Sequence, residues 1–186
     1  MDPATTTQTT PTSSAGPIVI AYDGSENARY AIAWAGEFFR NRPTLILYAW
    51  EPVEEVAAFH GGIGSLSGLA ATESVREADR WGREAAERVA AEGAALARGA
   101  GLDAEPRVEQ GALPTWELIV RVADEAGAGL IVLGSRGLRG LRSLMLGSVS
   151  HQVANHAHQP VAIVPMPMLT DARRQHATAT MQQASS

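Results

Sequence analysis

The chain has 186 residues, 45% of them hydrophobic, and a formal net charge of −5 at pH 7. That length suits one domain with a full core. No segment approaches the roughly 18 apolar residues that a membrane span needs, and the acidic balance argues against a duplex nucleic-acid binder. Cysteine is absent, which rules out disulfides and thiolate metal sites. Every basic residue is Arg, so a Walker-type phosphate loop, which depends on Lys, is excluded as well.

Residues 1–16 form a polar Thr/Ser/Pro-rich stretch, expected to be a disordered tail. With neither a basic nor an apolar leader region it does not read as a secretion signal, and a cytoplasmic location is expected. Ile18–Tyr22 is a predicted strand, and Asp23-Gly24-Ser25 is the turn into a helix that runs to about Phe39. Ala28, Ile32, Ala35 and Phe39 carry its helical period. Asp23 and Glu26, three apart, resemble a capping box. Arg42-Pro43 breaks the helix, and Thr44–Trp50 is a second apolar strand.

Residues 51–70, rich in glycine, read as an excursion before a long helix over about 72–98. Its expected buried stripe is Val75, Ala78, Gly82, Ala85, Val89 and Leu96. Glu105–Glu109 is a third strand, which Pro106 makes short or places at an edge. Pro114 opens a helix to about Glu125, Leu130–Leu133 is the fourth strand, and Ser148–Asn155 is a helix. Val161–Val164 is the fifth strand, fenced by Pro160 and Pro165. Residues 169–186 are expected to be a disordered C-terminal tail, which leaves 17–168 as the domain. Strands alternating with helices give βαβ units and a parallel sheet with helices on both faces.

The most informative stretch is Leu130 to Ser148. A short apolar run ends at Gly134, and two further glycines follow in the pattern G-x2-G-x9-G-S across Gly134, Gly137, Gly147 and Ser148. Glycine past the carboxyl end of a buried strand lets backbone approach a ligand closely. Gly147-Ser148 falls at a helix N-terminus, where N–H groups and the helix dipole favour an anion such as phosphate. The plainer alternative is that these glycines serve a tight turn and close helix–sheet packing. In an open sheet the loops after the first and fourth strands meet at a switch point, which sets Asp23 and the Gly134 loop on opposite sides of one crevice.

Ile18-Val19-Ile20-Ala21-Tyr22-Asp23-Gly24-Ser25, Leu130 to Ser148, and Pro160-Val161-Ala162-Ile163-Val164 together resemble a universal stress protein domain. The resemblance covers about residues 17 to 165, and the glycine motif is the mark of the members that bind ATP. It implies a Rossmann-like five-stranded parallel sheet ordered 3-2-1-4-5 and a homodimer paired through the last strand. It also implies that Asp23 contacts the adenosine and that the backbone of Ala49 hydrogen-bonds the adenine. Gly134, Gly137, Gly147 and Ser148, with the amides of Val149 and Ser150, would hold the phosphates of ATP, alone or with Mg2+. Two positions depart from the family: Gly129 stands where an acidic residue is common, and Trp50 is bulkier than the usual aliphatic residue.

Several of these residues have plainer roles open to them. Asp23 before a glycine is a common backbone cap. Arg136, Arg139 and Arg142 stand either over the outer phosphates or in solvent. His151, His156 and His158 fit no dedicated zinc spacing and read as helix-surface residues. Trp34, Trp81 and Trp116 read as packing residues. No general base and no carboxylate pair dedicated to a metal stands beside the phosphate cradle, so slow hydrolysis is the most that is expected of it. The function implied is an ATP-binding regulatory or signalling dimer of the stress response, in contact with neither nucleic acid nor membrane. The alternatives are a nucleotide-free dimeric interaction module and a slow ATP-hydrolysing enzyme of related fold. A nucleotidyl-transferring synthetase would carry Ser-Gly-Gly after the first strand, where this chain has Asp23-Gly24-Ser25.

Overall fold

The structure, a computed structural model, describes residues 16–50, 69–111, 113–135 and 146–166, with side chains over the same ranges except 69–76. Gly137, Arg136, Arg139 and Arg142 lie outside the described residues, as do residues 1–15 and 167–186 of the flanks and 51–68 of the excursion. The elements are β1 (Ile18–Ala21), α1 (Glu26–Phe38), β2 (Pro43–Trp50), α2 (Leu69–Gly99), β3 (Asp103–Gln110), α3 (Thr115–Glu125), β4 (Leu130–Gly134), α4 (Ser148–His156) and β5 (Val161–Val164). The five strands form one parallel sheet in the order β3-β2-β1-β4-β5.

Alternation along each strand divides the core into two halves. Ile18 and Ile20 of β1 face Ala28, Ala31, Ile32 and Ala35 of α1 and Ala94 and Ala97 of α2. Val19, Ile131 and Leu133 face Ile119, Val122 and Ala123 of α3 and Val153 of α4. Both faces are covered, which is why β1 and β4 are apolar throughout and not alternating. The chain runs outward through β2 and β3 with its helices on one face. It then returns through β4 and β5 with its helices on the other, and the reversal falls between β1 and β4.

Several expectations change in detail. The N-cap of α1 is Ser25, whose hydroxyl accepts from the Ala28 N–H at 3.2 Å; Asp23 does not form the capping box. Gly24 takes φ +79, which delays the helix to Glu26 and turns the Asp23 carboxylate onto the Ser25 N–H instead. The buried stripe of α2 is Ala86, Ala90, Gly93, Ala94 and Ala97, while Leu96 is 41% exposed. Gly93 fixes that face, because a Cβ there would stand 2.6 Å from the Tyr22 ring and 2.8 Å from Ile46. Trp81 is 63% exposed and is no packing residue. Trp34 and Trp116 do pack, one against each half of the core. β3 is an edge strand as Pro106 requires, yet it is eight residues long, because Asp103–Gln110 pairs with β2 along its whole length. At its start, α2 ends in a glycine-closed cap. Gly101 at φ +91 lets the Leu102 N–H reach the Ala97 carbonyl at 3.0 Å.

Candidate functional site

The switch point of the sheet lies between β1 and β4, and the site residues gather beyond their carboxyl ends. The β1–β2 ladder sets Ala21 level with Leu47, and one further bond, from the Tyr22 N–H to the Leu47 carbonyl at 2.9 Å, extends it. Two residues further along each chain stand Asp23 and Ala49. Alternate residues of a strand direct their N–H and C=O to the same neighbour, so those of Ala49, like those of Leu47, face the side where β1 has ended. Ala49 therefore offers a donor and an acceptor beyond the carboxyl end of β1. Asp23 is half-buried there, with one carboxylate oxygen 3.0 Å from the Ser25 N–H.

A polar cluster behind Asp23 fixes the turn. The Tyr22 hydroxyl donates to Glu92 Oε1 at 2.9 Å and accepts from Arg29 Nε at 3.2 Å, and Arg29 also pairs with Glu92 at 2.7 Å. Burial of the ring pushes the Tyr22 phenol above its ordinary pKa of 10.0, with the Glu92 carboxylate adding to the rise and Arg29 opposing it. Arg29 and Glu92 are about half exposed, so the cluster contributes position more than stability. Nothing in the sequence alone singles it out, because Tyr22, Arg29 and Glu92 meet only after α1 and α2 have packed.

On the other side, β4 ends at Gly134. A Cβ on Gly134 would lie 2.9 Å from the backbone carbon and 3.0 Å from the carbonyl oxygen of Asn27, so this glycine lets the first turn of α1 approach the strand. The Ser135 N–H donates to the Val164 carbonyl at 3.0 Å, and the Gly147 N–H donates to the Ser135 carbonyl at 2.9 Å. The Ser150 hydroxyl is buried and donates to the Gly134 carbonyl at 2.8 Å. Through these bonds the N-terminus of α4 is held directly against the end of β4. Its N-cap, Gly147, provides no side-chain hydrogen bond. The first N–H with an intrahelical acceptor is that of His151, to the Gly147 carbonyl at 2.9 Å. The amides of Ser148, Val149 and Ser150 precede it and have no acceptor within the helix. They give the helix end a concentrated positive partial charge.

The structure therefore brings Asp23, Ala49, Gly134, Gly147, Ser148, Val149 and Ser150 to one end of the sheet, whereas Gly137 lies outside the described residues. The histidines are engaged separately: His151 with Asn155, His156 with the Gln152 carbonyl, and His158 with Asp124. Trp50 turns toward α2, where its ring rests on Gly82 and lies 6.0 Å from the Arg83 guanidinium carbon. Among the described residues, no helix is long and apolar enough to cross a membrane.

A parallel sheet wound in both directions, with an uncapped helix end at its switch point, defines a Rossmann-like α/β domain. The chain belongs to the universal stress protein family, whose pattern matches residues 15–165. A universal stress protein of Thermus aquaticus is 34% identical over 149 residues, which are 79% of this chain and 96% of that protein. Universal stress protein MJ0531 of Methanocaldococcus jannaschii is 34% identical over 154 residues, 81% of this chain and 82% of that one. Of solved structures, hypothetical protein MJ0577 superimposes with a TM-score of 0.64 at 21% identity, covering 82% of this chain and 96% of its own. A universal stress protein in complex with cAMP gives 0.53 at 26% identity, covering 82% and 98%. The Archaeoglobus fulgidus protein in complex with dAMP gives 0.52 at 21% identity, covering 80% and 96%.

Proposed function

We propose that this protein binds an adenine nucleotide, with ATP as its ligand, and acts as a nucleotide-dependent regulatory homodimer in the stress response. The observation that carries this reading is the uncapped N-terminus of α4, with the amides of Ser148, Val149 and Ser150 presented at the switch point. With no lysine in the chain, backbone amides and hydroxyls are the natural phosphate ligands. In this reading Gly147 and Ser148, with Gly137 from the sequence motif, receive the phosphates, and Mg2+ accompanies them as a counter-ion. Asp23 accepts from the ribose hydroxyls, and Ala49 reads the adenine edge through its backbone. The cAMP complex of a family member 26% identical to this chain supports the ligand class.

The dimer rests on the two sheet edges. β3 carries Asp103, Glu105, Pro106, Arg107 and Glu109, and charge and proline of this kind discourage pairing. β5 is Val-Ala-Ile-Val, with its first three side chains only half-buried. The Pro160 and Val164 carbonyls face β4, so Val161 and Ile163 direct their backbone groups outward. A two-fold partner satisfies them.

Gly134 favours the rival reading of a nucleotide-free module, because its close contact with Asn27 explains that glycine by packing alone. Denaturing the purified protein and resolving the supernatant by ion exchange separates the two readings. Release of an adenine nucleotide is expected, and a supernatant free of nucleotide, from protein that also fails to take up added ATP, selects the module.

A further inference from the structure

Arg29 bonds to Glu92 and Gly36 meets Ala100, so one flank of α1 is turned to α2. At about 100° per residue, Trp34 and Phe38 stand on the opposite flank. That flank lies toward β5, whose Ala162 and Val164 join Trp34 in the same half of the core. Among the described residues no further helix covers it, because α3 and α4 pack on the other face of the sheet. The result is an aromatic shelf beside the sheet edge. Trp34 is partly buried, its ring centroid 5.1 Å from that of Phe38, and Phe38 is 64% exposed. Tyr30, one turn before Trp34, is exposed as well. Three aromatic side chains at four-residue spacing on one helix surface form a contiguous apolar patch of the kind that another segment covers.

We infer that the chain beyond β5, residues 167–186, docks on this shelf, with Met168 and Leu169 set against Trp34 and Phe38. The chain leaves β5 at that same edge of the sheet. Val164 is level with Gly134, which meets Asn27 in the first turn of α1. Trp34 lies further along that helix by about 10 Å, a span that roughly three or four extended residues cover. The other end of the chain is a poor match. Residues 1–15 hold one large apolar side chain, Met1, whereas Met168 and Leu169 follow Val164 closely. Charge agrees, because Glu37 is exposed beside Phe38 and Arg173 and Arg174 follow soon after Leu169. Docking leaves the dimer edge open: the shelf is on a face of the sheet, and the outward backbone groups of Val161 and Ile163 lie in its plane. The family pattern ends at residue 165, so the segment is additional to the shared fold.

A double-mutant cycle in the full chain tests the contact, by thermal unfolding of Phe38→Ser, Leu169→Ser and the double variant. Phe38 is mostly exposed, so its replacement keeps the fold. Each single substitution is expected to lower the midpoint by about 2–4 °C. The double variant should fall no further than the weaker single variant, since the effects of residues in contact do not add. An unchanged midpoint in Leu169→Ser overturns the inference, as do effects that add. Because the chain has no cysteine, Phe38→Cys together with Thr170→Cys identifies the occupant. Mild oxidation is expected to give a disulfide within one chain. A covalent two-chain product instead assigns the shelf to a second copy and overturns the docking.

Discussion

The Ser150 hydroxyl donates to the Gly134 carbonyl at 2.8 Å, in a buried contact that joins the first turn of α4 to the last residue of β4. One side chain thereby sets the height of a helix N-terminus relative to the strand ends. Removing it leaves a buried carbonyl with one acceptor site unfilled, which costs about 1–3 kcal/mol. Ser150→Ala is therefore expected to lower the unfolding free energy in urea by that amount. ATP affinity should fall as well, because the helix end is no longer held in place. A variant with wild-type stability would show that the bond is not formed in solution.

Two glycines of the motif are expected to separate experimentally. Gly134→Ala places a Cβ 2.9 Å from the Asn27 backbone, and relieving that contact costs about 1–3 kcal/mol. Gly147 has φ −62 and ψ 149, a conformation open to any residue, so Gly147→Val keeps the fold and blocks ligand approach to the α4 amides. Denaturant titration should find the first variant destabilised and the second near wild type, while nucleotide titration should find the second unable to bind. Retained ATP affinity in Gly147→Val would reduce the glycine motif to packing.

Trp50 adjoins Ala49 at the end of β2, with its indole on Gly82 and near Arg83. Saturating ATP is expected to change the tryptophan emission, and Trp50→Phe to remove most of the change. Trp81 is exposed on α2, and Trp34 and Trp116 pack, partly buried, against the two halves of the core, so they should contribute little. A response that survives in Trp50→Phe would move the base away from β2.

At the far end of β5, Asp124 accepts from Gln159 at 2.6 Å and meets His158 at 3.1 Å. The Gln159 hydrogen bond first, and then His158, hold its carboxyl below the ordinary value of 3.8. Its stabilising contribution is therefore complete above that value and disappears as the pH falls through the lower folded one. The Asp124 side chain is 40% exposed, so the effect is under about 1 kcal/mol. In thermal melts Asp124→Asn should be slightly less stable than wild type at neutral pH, with the gap closing in acid below that range. A gap that widened in acid would contradict the assignment.

Light scattering should give a mass near two chains. Ile163→Pro removes an outward N–H from β5 without touching its ladder to β4, and should give a folded monomer. A wild-type protein that is strictly monomeric at micromolar concentration would remove β5 as the interface.

The alternation of strands and helices was legible because buried strands and turn residues leave local signals, whereas the strand order came from the family resemblance: Ile18–Ala21 and Leu130–Gly134 are apolar without interruption, and Pro114 marks the start of a helix. The buried face of α2 was not legible. Alanine occurs on every side of that helix, so hydrophobic periodicity does not select a face, and the choice falls to the contact of Gly93 with Tyr22. The same holds at the crevice. The glycines mark a place where backbone approaches something, but only the packed structure shows that Gly134 approaches Asn27. The engaged hydroxyl of Ser150 and that of Ser135, which has no partner among the described residues, differ only in their tertiary surroundings.

Every functional expectation above depends on an adenine nucleotide binding at the α4 N-terminus. Isothermal titration of ATP into the purified full chain, in parallel with Gly147→Val, tests it most directly. The predicted result is saturable binding of one ATP per protomer by the wild type and none by the variant, with matching unfolding midpoints when both are ligand-free. Folded wild-type protein that takes up no ATP at millimolar concentration, or a Gly147→Val variant that binds as tightly as the wild type, would contradict it.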